Sequence, residues 1–171
     1  TAHAELYAWD SKKNLVKLRE GTGSYKCVAS GAYGARIGKP DLPFPDPMCM
    51  DANAWAFLSA TWKEKNPLKP VTAYPTEPGM VWMLAGMSGP GGIVSHADNP
   101  QAEYKIVADG NKLVRLSPHI MVMPLPVNGK QSLLGYQYDT KDPNASLVMA
   151  AGRPMEQLMI HFGEKETAEM M

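Results

Sequence analysis

The chain has no surplus of charge: seventeen Lys and Arg stand against seventeen Asp and Glu in 171 residues. Nucleic-acid binding relies on a basic face that neutralises phosphates. Here no basic run is longer than two residues, as at Lys12-Lys13, so no nucleic-acid partner is expected. Docking on anionic lipid by charge is excluded on the same ground. Long hydrophobic runs are missing too. A bilayer-spanning helix needs about 18–20 apolar residues, whereas the stretch Ile120 to Val127 is strand-sized and broken by Pro124 and Pro126. No membrane insertion is expected.

Several chemical signatures are also missing. The Gly-rich segment 86–100 has neither the Gly-x-x-x-x-Gly-Lys pattern nor the strand–loop–helix setting of a phosphate cradle, which excludes nucleotide binding there. Ser88 and Ser95 are available as nucleophiles. Gly86-Met87-Ser88-Gly89 nevertheless falls short of the Gly-x-Ser-x-Gly elbow of a serine hydrolase. The only two cysteines, Cys27 and Cys49, match neither a zinc motif nor Cys-x-x-Cys. Two readings compete for them: buried thiols of a cytosolic protein, or a disulfide in an exported one. The Gly- and Pro-rich stretch from Gly31 to Pro47 between them has little apolar content with which to build a core. It gains most from a covalent clip, and closing a loop of this size contributes about 3 kcal/mol. The disulfide is therefore favoured, and with it an oxidising compartment.

The hydrophobic fraction of 44% suits one globular domain over residues 1–171. Residues 5–9, 15–19 and 25–29 read as short strands, the first two separated by turn chemistry at 10–14. The clearest helix follows Asp51, an N-cap residue. Trp55, Leu58 and Trp62 then recur at helical spacing as an apolar stripe that reads as core, with Ala54, Phe57 and Ala60 widening or flanking it. Lys63 and Lys65 fall in the expected last turn, and Pro67 stops the helix. Residues 66–79 read as an extended Pro-rich traverse, 80–85 as a strand and 86–100 as a loop. Asp109-Gly110 predicts a hairpin joining 104–108 to 112–116. Asn128-Gly129 predicts another, joining 119–127 to 130–134. Strands at 147–150 and 158–162 precede a short tail. The expected fold class is α+β: a mostly antiparallel β-sheet, with a partly closed barrel as the alternative, and one main helix packed on it.

Four stretches carry a resemblance. They are Leu18-Arg19-Glu20-Gly21-Thr22 leading to Tyr25-Lys26-Cys27, then Asp46-Pro47-Met48-Cys49-Met50-Asp51, then Pro118-His119-Ile120-Met121, and finally Ala151-Gly152-Arg153-Pro154-Met155-Glu156-Gln157-Leu158-Met159. In order and spacing they resemble a family of uncharacterised exported bacterial proteins. The resemblance implies an export signal removed before Thr1, a periplasmic or extracellular location and a Cys27–Cys49 disulfide. It brings no activity. The chain departs from the family at Ser117, where Gly is usual, and at Gln157, where His is usual.

Three sets of residues carry candidate chemistry. His119 opens an apolar strand, where an imidazole serves as general base, metal ligand or buried structural group. With His96 and Asp98 of the Gly-rich loop it forms a trio suited to zinc or iron, or to proton transfer. The second set is methionine, twelve in number. Met121 and Met123 share one strand face, and thioethers with an imidazole suit Cu(I), although methionine also serves as adaptable core filler. The third is the amino terminus. There the Thr1 amine, two backbone amides and His3 form a square-planar Cu(II) chelate if Thr1 is the true end. The leading expectation is a non-enzymatic exported binding or structural domain whose partner is a small molecule, a metal or another copy of the chain. The rivals are a metal-dependent or hydrolytic enzyme centred on His119 with His96 and Asp98, and a periplasmic copper-binding protein using Met and His ligands. Copper or zinc is the expected cofactor if there is one.

Overall fold

The structure is a computed structural model that describes residues 2–12, 14–29, 47–64, 70–84, 87–90, 93–95, 105–107, 113–116, 118–125, 146–149 and 152–162. Eight of its strands form one sheet: β1 (Glu5–Trp9), β2 (Leu15–Arg19), β3 (Lys26–Val28), β4 (Met48–Met50), β5 (Gly79–Met83), β10 (His119–Met123), β11 (Leu147–Met149) and β12 (Gln157–His161). They lie in the order β11-β12-β10-β5-β4-β3-β1-β2. All neighbours are antiparallel except β1 and β3, which run parallel, so the sheet is mixed. The partly closed barrel is corrected: β11 and β2 are the two edges of an open sheet. One helix, α1 (Ala52–Thr61), packs on β5 and β10, as an α+β fold requires.

The remaining strands, β6 (Met87–Pro90), β7 (Ile93–Ser95), β8 (Lys105–Val107) and β9 (Leu113–Leu116), form two separate ribbons, β6 with β9 and β7 with β8. Two expectations change here. Part of the stretch read as a Gly-rich loop is strand. The residues flanking Asp109-Gly110 pair with β7 and β6 rather than with each other. A tight hairpin competes with any longer-range partner for the same backbone groups, and here the longer-range partners win. The Asn128-Gly129 turn and its second arm lie outside the described residues. Over His119–Met123 both edges of β10 are already taken, by β5 and β12. The short β4, at the end of what read as a continuous loop, is held by β3 on one side and β5 on the other.

Strand alternation builds the core. In β5 and β10 every second residue is buried: Gly79, Val81 and Met83, then His119, Met121 and Met123. With Met48, Met50 and Met159 they face Ala54, Phe57 and Leu58 of the helix. The helix buries Ala54, Phe57, Leu58 and Thr61, an i, i+3, i+4, i+7 set. This corrects the expected stripe: Leu58 is in it, while Trp55 and Trp62 are half-buried at its side. Their rings reach round to β1, Trp55 to Tyr7 at 4.6 Å and Trp62 to Trp9 at 5.4 Å between centroids. They pack against the core rather than fill its centre. The helix ends earlier than Lys63, with Trp62 as C-cap and no basic residue in the last turn. Lys65 lies outside the described residues.

Asp51 caps the helix as the sequence predicts, its Oδ1 accepting from the Ala54 amide at 2.9 Å. Its other oxygen accepts from the Met80 amide at 2.9 Å, which ties the helix start to β5. Glycine is required at position 79. A Cβ there would run into the Ala54 nitrogen and the Asp51 carboxylate, and would sit 2.9 Å from Ala54 Cα. Beyond the helix, Tyr74 of the expected traverse returns to stack on Phe57 at 5.4 Å.

Candidate functional site

Cys27 and Cys49 stand directly opposite each other on β3 and β4, 4.0 Å apart at Cα, and are joined by a disulfide. This fits the clipped-loop reading, and it leaves the chain without a free thiol.

Register creates the most unusual juxtaposition in the sheet. His119 is opposite His161 across β10 and β12, and opposite Met83 across β10 and β5. The three side chains therefore stand in one row on one face. The next row on that face holds Met159, Met121, Val81 and Met50. Rings of His119 and His161 lie 5.0 Å apart between centroids, inclined at 60°. His119 is 1% exposed and Met83 2%; His161 is half-buried as a residue, and both its ring nitrogens are buried. Two further bonds hold the strand ends in this register. The Phe162 amide donates to the Pro118 carbonyl at 2.8 Å, and the His161 amide donates to Ser146 Oγ at 3.3 Å. In strands so fixed a one-residue slip would send His161 to the other face.

The candidates named from sequence fare differently. His119 opens β10 as expected and is buried there, which fits the buried structural reading among the three that the sequence offers. Met121 and Met123 share a face, as alternation requires. They are 2% and 0% exposed inside the core cluster, where methionine fills irregular space. His96 and Asp98 lie outside the described residues, and so does their convergence on His119. His3 is exposed. Its Nδ1 lies 3.1 Å from Thr22 Oγ1 and its carbonyl accepts from the Gly23 amide at 2.7 Å, which engages the nitrogen nearest the backbone. Thr1 lies outside the described residues. Among the described residues no group of three or more His, Cys, Asp and Glu is placed to hold a metal ion. Sequence reasoning missed His161: its only signal was alternation along 157–161, and the partnership with His119 exists only through strand register.

Two other polar clusters satisfy themselves. Glu5 accepts from Lys26 Nζ at 2.6 Å and from the Tyr7 hydroxyl at 2.5 Å, and Lys17 Nζ lies 3.7 Å away. Lys26, and after it Tyr7, holds the Glu5 carboxyl down at about 2. Burial, and after it Glu5, pushes the Tyr7 phenol up. Lys26 also lies over the rings of Trp55 and Tyr7, at 5.5 and 5.9 Å. The network joins β1, β2, β3 and α1. Glu156, 2% exposed, accepts from the Gly152 amide at 2.7 Å and closes a turn in which Gly152 has φ 72°. Its carbonyl accepts from the Leu125 amide at 2.7 Å. The stretch 152–159 thus ties the turn before β12 to the end of β10.

Among the described residues no helix is long and apolar enough to cross a membrane. No family model matches the chain, and neither a curated protein nor a solved structure matches it.

Proposed function

We propose that this protein is a non-enzymatic binding domain of an oxidising compartment, periplasmic or extracellular, and that it takes a metal ion at His119 and His161. The observation that carries the reading is the cross-strand pair of imidazoles, 5.0 Å apart on strands held in register from both sides. Neutral imidazole is the commonest protein ligand for transition metals, and donors on strands are placed more firmly than donors on loops. The disulfide is compatible with the compartment, and the resemblance to exported bacterial proteins supports it. The 1% exposure of His119 favours a binding role over an enzymatic one. A group buried to that degree offers no face to a bulky substrate.

The test is native mass spectrometry of protein purified without chelator or reductant, followed by titration with Zn(II) and with copper. One metal per chain is expected, lost in His161→Asn, a change at a half-buried position. A chain that stays bare in both titrations would overturn the proposal.

A further inference from the structure

We infer that the ion is Cu(I) and that Met83 is its third ligand; this rests on the proposed metal site at His119 and His161. Met83 stands across β10 from His161, so that His119 has an imidazole on one side and a thioether on the other in a single row. Side chains directly opposite on neighbouring strands have Cβ atoms about 4.5–5.5 Å apart. Three adjacent positions of one row therefore hold two imidazoles and one thioether. Met159, one row along on the same face of β12, is the diagonal thioether, about 7–8 Å away.

The donor set selects the metal. Hard cations such as Mg(II) and Ca(II) take oxygen ligands, and among the described residues no carboxylate stands in the rows of His119 and Met121. Zn(II) sites are almost always completed by thiolate, imidazole or carboxylate. Both cysteines of the chain are bridged to each other, so no thiolate is left. Thioether with imidazole is the set that suits Cu(I). Thioethers also form no disulfides, so they persist as sulfur donors in a compartment that keeps Cys27 and Cys49 oxidised. The abundance of methionine on this face then has a second use besides packing.

The experiment is an anaerobic competition titration with Cu(I) against a chromophoric chelator, run beside a Zn(II) titration, on the wild type, Met83→Leu and His161→Asn. Met83→Leu conserves volume and is tolerated in a core at a cost of less than about 1.5 kcal/mol; circular dichroism confirms that each variant is folded. The expected result is one tight Cu(I) per chain, weakened at least about tenfold by Met83→Leu and by His161→Asn, with any Zn(II) binding unchanged in Met83→Leu. Unchanged Cu(I) affinity in Met83→Leu, or a site that takes Zn(II) in preference to Cu(I), overturns the thioether ligand while leaving the histidine site in place. No binding of either ion overturns both.

Discussion

Asp51 does two jobs with one carboxylate, and removing it measures both. Oδ1 caps α1 through the Ala54 amide and Oδ2 holds the Met80 amide of β5. Loss of an N-cap costs about 1 kcal/mol. Loss of a hydrogen bond to a charged acceptor costs about 1.5–3 kcal/mol, towards the low end here because the site is only part-buried. Asp51→Ala should therefore destabilise by about 2–3 kcal/mol. Asp51→Asn separates the two contributions. Its carbonyl oxygen still caps Ala54, but its amide presents a donor to the Met80 donor, and the expected cost is about 1–2 kcal/mol. Gly79→Ala attacks the same junction from the other side, because the new methyl group runs into the Ala54 backbone nitrogen and the Asp51 carboxylate. It should cost at least as much as Asp51→Ala. The double variant should cost less than the sum, since both changes break one contact. The assay is urea denaturation without reductant, read by the fluorescence of the four tryptophans. Stability is compared at constant m-value. An Asp51→Ala protein within about 0.5 kcal/mol of the wild type, or a harmless Gly79→Ala, would refute the reasoning.

Three further outcomes are expected. The Glu5 carboxyl is held at about 2, below its ordinary 4.5, mainly by Lys26, so its contribution is complete above pH 4.5 and is lost as pH falls towards 2. Thermal melts of wild type and Glu5→Gln should differ at neutral pH and converge near pH 2; a constant gap would contradict the assignment. Reducing the Cys27–Cys49 bridge, which closes a separation of 22 residues, should lower stability by about 3 kcal/mol, and denaturation of the Cys27→Ala, Cys49→Ala protein checks it. Met121→Leu and Met123→Leu should each cost less than about 1.5 kcal/mol and leave metal uptake within about twofold, since Met83 rather than these two completes the proposed site; strong loss of uptake in either would move the sulfur ligand.

What was legible in the sequence was local. Asp51 announced the helix, because a cap is a relation between one carboxylate and amides three residues away. The strands at 5–9 and 15–19 showed themselves by composition and turn chemistry, and so did the stretch 119–127, of which His119–Met123 is strand. The three-residue β4 is too short to show a period, and only the Cys27–Cys49 bridge marked it as a neighbour of the expected strand at 25–29. The helix stripe was misjudged because tryptophan looks the most core-like residue, whereas the smaller Ala54 and Thr61 allow α1 to approach the sheet and the large indoles pack at its flank. The Asp109-Gly110 turn misled because a turn dipeptide says that the chain can reverse, not which strand the arms will meet.

The site was illegible for the same reason in a stronger form. His119 and His161 are remote in sequence and become neighbours only when β12 settles against β10 in one register. The two polar arrangements at opposite sides of the sheet are built on different logic. At β1 and β3, Glu5 lies between Lys26 and Lys17, so opposite charges offset one another and the cluster explains itself as a clasp. At β10 and β12, imidazole faces imidazole. Like groups gain nothing from each other as charges, and two protonated rings in this position would repel. On the proposed function, one metal ion shared by both imidazoles offsets that repulsion, with the Met83 thioether completing the row.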